Sequence, residues 1–356
     1  MNNVSCDYLN RHALKQMMKK SRILISILNW NKADETLVCL SSLKTEKNIE
    51  SAEVQIVVVD NGSAPADFAA LENGITDADV TLVRMPENLG FTGGHNFAIQ
   101  KAFDEGYDFI WLLNNDAIVL PGTLEKLLET MRSESRCGAA SPVIRHSHDE
   151  ASIEGCVNLH DWKLRTTIWM RSIPECKAKQ ISAPESVWLI GTAILFRTAA
   201  LRDTGPLDDR MFAYYDDNDI GARLSAAGWH SRCVFDASVT HAAKEEGGLR
   251  PLYYHYLMQR NQMLFWHKNT PAGFRRLLWL KLVDTALHNA NRLYARGLHA
   301  QGDAALLGGW DFIVGRFGAP KLGRPVPLPM RLARKVSALR NREKLKSPQA
   351  SSAPTH

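Results

Sequence analysis

RILISILNWN (Arg22–Asn31) and VQIVVVDNG (Val54–Gly62) are short apolar runs that stop abruptly on polar residues. Runs of Ile, Val and Leu without polar alternation suit strands covered on both faces, as in a parallel sheet. Val80–Arg84 and Asp108–Leu113 repeat the pattern, and helical patterns lie between, at Asp34–Leu43 and Gly94–Phe103. The segment opening at Pro121 is the clearest helix: proline suits a first turn, and Leu124, Leu127, Leu128 and Met131 fall at i, i+3, i+4 and i+7. This alternation predicts an α/β fold with a mostly parallel central sheet flanked by helices. Ligands of such sheets sit at the carboxyl ends of the strands. Polar residues gather at three of those ends: Asn29, Trp30 and Asn31; Asp60, Asn61 and Gly62; Asn114, Asn115 and Asp116.

The remaining chain is less regular. Residues 148–186 lose the alternation and are expected to hold irregular strands that cover the site. Val187–Arg197, with Gly191 and Thr192, reads as one buried strand, followed by a short helix ended by Gly205 and Pro206. A strand through Val234 leads to His241, and from Leu252 the chain is mostly helical. The expected organisation is a tail over 1–20, an α/β domain over 21–245, a helical region over 246–324, and a proline-containing linker with a basic tail over 325–356.

With 45% hydrophobic and 23% charged residues, the 356-residue chain has the make-up of a globular protein with a substantial core. Its six cysteines are scattered without a CxxC pair, as free thiols in a reducing compartment are. The N-terminal apolar stretch Ile23–Leu28 is too short for a secretory core, and no run of about 18 apolar residues suits a spanning helix. A cytoplasmic location is expected. The net charge of +5 is concentrated late, where Arg331–Lys346 holds seven bases against Glu343. Leu332, Val336 and Leu339 have helical spacing there, so the segment is either a basic amphipathic helix in peripheral contact with an anionic membrane or a solvated tail. No aromatic residues interleave with the bases, which argues against nucleic acid as a partner.

MFAYYDDNDIGAR (Met211–Arg223) crowds Asp216, Asp217 and Asp219 at a helix start. Such crowding is unfavourable unless a cation, a proton donor or the helix N-terminus offsets it. It is either a solvated acidic helix start or, with Asn114–Asp116, part of one metal-dependent centre. Asp60 suits a ribose or the N3 position of a pyrimidine; the GxGxxG of a dinucleotide fold is missing after the first strand, which favours a pyrimidine nucleotide over a nicotinamide cofactor. ENLGFTGGHN (Glu87–Asn96) is a glycine-rich turn entering a helix, either a cradle for a diphosphate or a tight loop. Asn114–Asp116 is either a turn or the carboxylate end of a site for a diphosphate-bridging divalent ion.

The order of ILNWN, VVVDNGS, ENLGFTGGHN, WLLNND, GTAILFR, FAYYDDNDIGARLSAAGW, His241 and Arg260–Asn261 resembles glycosyltransferase family 2, and within it the bacterial rhamnosyltransferase and galactofuranosyltransferase group. The resemblance runs from about Arg22 to Trp266, with a weaker echo in Ala305–Gly318. It implies a GT-A fold with a C-terminal helical extension, and an inverting single displacement from a nucleotide-diphosphate sugar. Asp217 matches the family's catalytic base, and Asp116 and His241 match its metal site for Mg²⁺ or Mn²⁺. The implied donor-binding set is Asn29, Asn31, Asp60, Asn61, Asn88, Gly90, Asn96, Asn114, Asn115, Asp216 and Arg260; for Arg260 a helix-surface ion pair is the competing reading. Two positions depart from the pattern: Asn114 stands where many relatives carry the first acid of DxD, and Asp216 where Glu is common. The resemblance implies transfer of a sugar, L-rhamnose first, from a dTDP- or UDP-sugar to a glycan or lipid-linked acceptor in surface polysaccharide biosynthesis, lipopolysaccharide included. The alternative is a catalytically silent nucleotide- or glycan-binding protein on the same fold.

Overall fold

The computed structural model describes residues 20–147, 149–241 and 249–340. The tail before Lys20, Cys6 within it, and the bases from Arg342 to Lys346 lie outside the described residues. The first half is built of β1 (Ser21–Asn29), α1 (Ala33–Ser42), β2 (Ala52–Asp60), α2 (Pro65–Gly74), β3 (Val80–Arg84), α3 (Gly90–Asp104) and β4 (Phe109–Asn114). These four strands lie side by side in the order β3, β2, β1, β4, all parallel. Their register sets Asn29 opposite Asp60, Asp60 opposite Arg84, and Leu28 opposite Asn114. This register brings the three polar ends to one sheet edge.

Next come β5 (Ala117–Val119), α4 (Thr123–Ser133), β6 (Cys137–His146), β7 (Asp149–Gly155), β8 (Asn158–Asp161), β9 (Thr166–Trp169), α5 (Ile173–Ser182), β10 (Val187–Trp188), β11 (Ala193–Arg197), α6 (Thr198–Thr204), α7 (Asp216–Ala226) and β12 (His230–His241). Strand β11 lies antiparallel between β4 and β6; β6 runs parallel to β12, which takes β5 antiparallel on its other side, and β7 pairs with β6. Nine strands among the described residues thus form one sheet, parallel at one end and mixed at the other, while β10, β8 and β9 form a small second sheet. Alternate residues along each strand feed two cores. Leu24, Val57, Val59 and Ile110 meet Ala98 and Ile99 of α3 on one face. Ile23, Ile25, Val58 and Trp111 meet Cys39 of α1 and Leu124, Leu127, Leu128 and Met131 of α4 on the other. The five described cysteines are buried free thiols.

After a segment outside the described residues, four helices follow: α8 (Leu252–Asn269), α9 (Leu278–Ala295), α10 (His299–Ile313) and α11 (Leu328–Arg340). Three boundaries differ from the sequence reading. The run Val187–Arg197 is not one strand: it leaves the small sheet after Trp188 and enters the large one at Ala193, and Gly191 lies in the gap. Helix α3 starts at Gly90 rather than Gly94, so Gly93 and Gly94 are helical; a Cβ on Gly94 would stand 2.3 Å from the Leu28 side chain. Helix α11 starts inside the expected linker, because Pro329 in the first turn has no N–H to lose.

Candidate active site

Asn29 is a fully buried hub at the end of β1. Its Nδ2 donates to Asp60 Oδ1 (3.0 Å), Ser63 Oγ (3.2 Å) and Asp67 Oδ2 (3.0 Å), and its Oδ1 accepts from Thr36 Oγ1 (2.8 Å). Asn115 Nδ2 donates to the same Thr36 oxygen (3.1 Å), which ties the end of β4 to the ends of β1 and β2. Asn31, at φ 54°, donates its backbone N–H to Ser63 Oγ (2.9 Å) and accepts from Ala64 N (2.8 Å). Asp60 is also fully buried and accepts from Ser63 N (3.2 Å). The polar group exposed beside it is Arg84, whose Nε stands 3.8 Å from Asp60 Oδ2 and whose side chain is 42% accessible. Gly62, Ser63, Arg84, Met85 and Pro86 line a cavity of about 400 Å³ there. Sequence reading passed over Arg84, although its place at the end of the strand beside Asp60 marked it.

At the end of β4, His241 lies between two carboxylates. Its Nε2 is 3.0 Å from Asp116 Oδ1 and its Nδ1 2.8 Å from Glu154 Oε2; Asn114 Nδ2 approaches Nε2 at 3.4 Å. Burial lowers the imidazole pKa, but the hydrogen bonds to both carboxylates outweigh it and raise the value to about 10. Glu154, from β7, is a member of this corner that the irregular 148–186 segment concealed. The donor set suits a divalent cation: a carboxylate oxygen and an imidazole nitrogen face each other, and a second carboxylate fixes the ring, as carboxylates do for metal-bound histidines. Among the described residues no group of three or more His, Cys, Asp or Glu could hold a metal by itself. Asp116 and His241 would therefore share such an ion with diphosphate oxygens and water.

Helix α7 presents Asp216 and Asp217. Asp217 Oδ2 accepts from Gly191 N (3.2 Å), and Oδ1 accepts from Asn218 N (2.7 Å) and Asn218 Nδ2 (3.0 Å). Asn218 Oδ1 lies 3.1 Å from His160 Nε2, and the His160 ring stacks on Trp188. Asn218 and His160 thereby orient the carboxylate, a role no local motif signalled. Asp219 serves differently: fully buried, it is paired with Arg223 Nε (2.8 Å) and Lys268 Nζ (2.9 Å) and accepts from Asn269. The gap between β10 and β11 joins the two acidic groups, since Thr192 O accepts from Asn114 N (2.9 Å) one residue from the Gly191–Asp217 contact.

The loop before α7 is strained. Phe212, Tyr214 and Tyr215 have φ of 65°, 69° and 67°, a region costly for side-chain-bearing residues. Here the structure corrects the reading of Arg260. It is fully buried, and its guanidinium donates to the carbonyls of Arg210 (3.0 Å), Met211 (3.0 Å) and Gly318 (2.6 Å) and to Asn261 Oδ1 (3.0 Å). Asn261 Nδ2 donates to the carbonyls of Met211, Ala213 and Tyr214. The Arg260–Asn261 pair straps the loop that presents Asp217; its donors are spent on carbonyls and not aimed at a diphosphate.

In the glycine-rich stretch the geometry matches the tight loop of the two readings. Leu89 N donates to Asn61 Oδ1 (3.0 Å), Gly90 N to Asn88 Oδ1 (2.8 Å) and Thr92 N to Phe212 O (3.1 Å), so these N–H groups cradle no phosphate. Asn61 Nδ2 donates to Asn88 Oδ1 and Gly90 O, both at 3.0 Å. Gly90, at φ 76°, abuts Phe212, where a Cβ would stand 2.3 Å from the carbonyl oxygen. Asn96 grips the same loop through Leu207 and Asp209. Asn61, Asn88, Gly90 and Asn96 thus buttress the segment that carries the acids.

Burial raises the pKa of both Asp216 and Asp217; the Asp217 charge raises Asp216 further, and for Asp217 the N–H donors of Asn218 and Gly191 oppose the shift. Asp216, with no side-chain donor to offset burial, is raised to about 8 from 3.8. Between those values the folded chain binds more protons than the unfolded one, so this pair makes stability fall as pH rises. Asp216→Asn is expected to melt higher than wild type at about pH 8, with little difference at about pH 4. The same substitution should leave the acid limb of the rate profile in place, because Asp216 still holds its proton where Asp217 loses its own. Thermal melts and kcat/KM measured across that range check both outcomes.

A sheet parallel at one end, with a cavity beside β2 and β3, an acid–histidine corner at the end of β4 and a half-buried carboxylate across a single backbone step, fits a GT-A glycosyltransferase. The model of the family "Glycosyl transferase family 2" matches residues 24–205, just over half of the 356 residues, and the chain belongs to that family. It is 27% identical over 235 residues to an N-acetylglucosaminyl-diphospho-decaprenol L-rhamnosyltransferase of Mycobacterium tuberculosis, covering 61% of this chain and 74% of the relative. It is 24% identical over 218 residues to a galactofuranosyltransferase of the same organism, covering 60% and 68%. Among solved structures, a mannosyltransferase from Pyrobaculum calidifontis in complex with GDP-Man and Mn²⁺ is similar with a TM-score of 0.50 and 16% identity, over 96% of this chain and 95% of that one. GalNAc-T7 with UDP, GalNAc and Mn²⁺ gives a TM-score of 0.53 and 14% identity, over 83% and 57%. These two likenesses concern the fold.

Proposed function

We propose that the chain transfers a sugar, with L-rhamnose the first candidate, from a thymidine or uridine diphosphate donor to a glycan or lipid-linked acceptor in surface polysaccharide synthesis, with inversion of the anomeric carbon. One observation carries the reading: the Gly191–Thr192 step, whose two ends bond Asp217 (3.2 Å) and Asn114 (2.9 Å), sets the base next to the strand end that bears Asp116. The rhamnosyl- and galactofuranosyltransferase relatives support the choice of sugar, and the diphospho-decaprenol in the name of the first supports a lipid-linked acceptor.

In this reading the nucleobase end of the donor takes the cavity walled by Arg84 beside Asp60, and the diphosphate lies toward Asp116 and His241. Asp217, partly accessible and oriented by Asn218 and Gly191, removes the proton of the acceptor hydroxyl as that oxygen attacks. Attack from the face opposite the departing diphosphate inverts the carbon without a covalent intermediate. A bound Mg²⁺ or Mn²⁺ would offset the charge that develops on the leaving group. Asp216, whose proton is held by burial, keeps a second negative charge from opposing Asp217.

Asn114 favours a second reading, the catalytically silent binding protein, because it leaves the acid–histidine corner with an amide where a second carboxylate would strengthen the cation site. Incubation with a panel of nucleotide sugars, Mg²⁺ or Mn²⁺ and a polyprenyl-diphosphate glycan acceptor separates the two. Transfer from one donor, abolished by chelation, is expected. Nucleotide binding with no donor consumed would favour the silent protein.

A further inference from the structure

Helix α11 is apolar on the side that faces away from the protein. Met330 and Ser337 are buried, and Met330 packs with Leu287, Ala290 and Leu306 of α9 and α10. Arg334 lies over the Tyr294 ring at 3.9 Å and donates to Asn291 Oδ1 (3.2 Å). These contacts fix the inward side. At about 100° per residue, Leu328, Leu332, Val336 and Leu339 fall together on the opposite side. They are 64%, 53%, 48% and 73% exposed. A surface helix ordinarily turns its polar residues outward.

Bases surround this stripe. Arg331 and Lys335 flank it on one side and Arg340 on the other, all exposed, and α11 contains no acid. In sequence no acidic residue occurs between Asp311 and Glu343, and Arg342, Lys344 and Lys346 continue the charge outside the described residues. Helix α9, along which α11 packs, begins with a similar mixture: Leu277, Trp279 and Leu280 are exposed among Arg276 and Lys281.

We propose that the outward stripe of α11 is a docking face for an anionic lipid bilayer. The helix lies in the interfacial plane, with its leucines and valine at the acyl boundary and its bases at the phosphate headgroups. Charge selects this occupant. A second copy pairing through the same stripe would set bases against bases with no acid on the helix to meet them. A soluble polyanion would leave four apolar side chains in water. No helix among the described residues is long and apolar enough to span a membrane, so contact through α11 is interfacial.

The test needs neither donor nor acceptor, so its outcome is independent of the sugar-transfer reading. The full chain is sedimented with phosphatidylcholine vesicles containing phosphatidylglycerol, and with phosphatidylcholine alone. Binding to the anionic vesicles, weakened by salt, is expected; Leu332→Glu/Leu339→Glu should reduce it by about tenfold or more, and Arg331→Gln/Lys335→Gln severalfold. These side chains point outward, so circular dichroism and melting temperature should stay at wild-type values. The Arg331/Lys335 variant keeps the test valid if the leucine variant fails to fold. Absence of binding to anionic vesicles, or undiminished binding by the folded leucine variant, overturns the proposal. A dimer in sedimentation velocity that the leucine substitutions dissolve would assign the stripe to a second copy and also overturn it.

Discussion

Asp217→Asn is expected to lower kcat by about 10²–10⁴-fold while donor affinity changes by no more than about twofold. The amide has the shape of the carboxylate, and its one oxygen can serve both Asn218 donors, leaving only the Gly191 N–H without its acceptor, so the end of α7 should stay in place. What it loses is the capacity to take a proton, without which an acceptor hydroxyl is a poor nucleophile. The split between kcat and donor affinity is the informative readout. Equal losses in both would mean that Asp217 organises the donor site and leaves the proton to another group.

Arg260→Ala should destabilise the fold by about 3–5 kcal/mol in denaturant titration. Arg260 is 0% exposed, and its removal leaves a void against the Tyr256 and Phe317 rings and withdraws a charged donor from the carbonyls of Arg210, Met211 and Gly318. The strain at Phe212, Tyr214 and Tyr215, roughly 1–3 kcal/mol per residue, then lacks part of the framework that holds it. Arg260→Lys should recover only a fraction, because a point ammonium cannot span acceptors arranged for a planar fork. A variant that kept wild-type stability but lost affinity for the donor diphosphate would restore the diphosphate role that the sequence suggested for this residue.

These two residues also mark how far the sequence could be read. Strand ends were legible because unbroken apolar runs of similar length, paired in parallel, must deliver their polar termini to one edge; Asn29, Asp60 and Asn114 followed from that. Asp217 was legible because carboxylates crowded at a helix start call for an explanation. Arg260 was visible as a cation, but its acceptors are carbonyls some 50 residues earlier and 58 later, and nothing local names them. The glycine-rich stretch stayed open between two readings for the same reason: the acceptors for its N–H groups, Asn61 and Phe212, come from distant segments. Glu154 sits in a strand whose pairing shifts register against β6, without the periodicity that reveals regular strands. The Gly191 N–H is a backbone group, and its contact with Asp217 arises where the chain changes sheets.

The proposed reaction is one displacement at the anomeric carbon, with Asp217 facing the acceptor and Asp116 and His241 facing the departing diphosphate. The anomeric configuration of the glycoside formed from whichever nucleotide sugar is consumed, read by proton NMR, tests this most directly. A product inverted relative to the donor is expected. A product of retained configuration would contradict it.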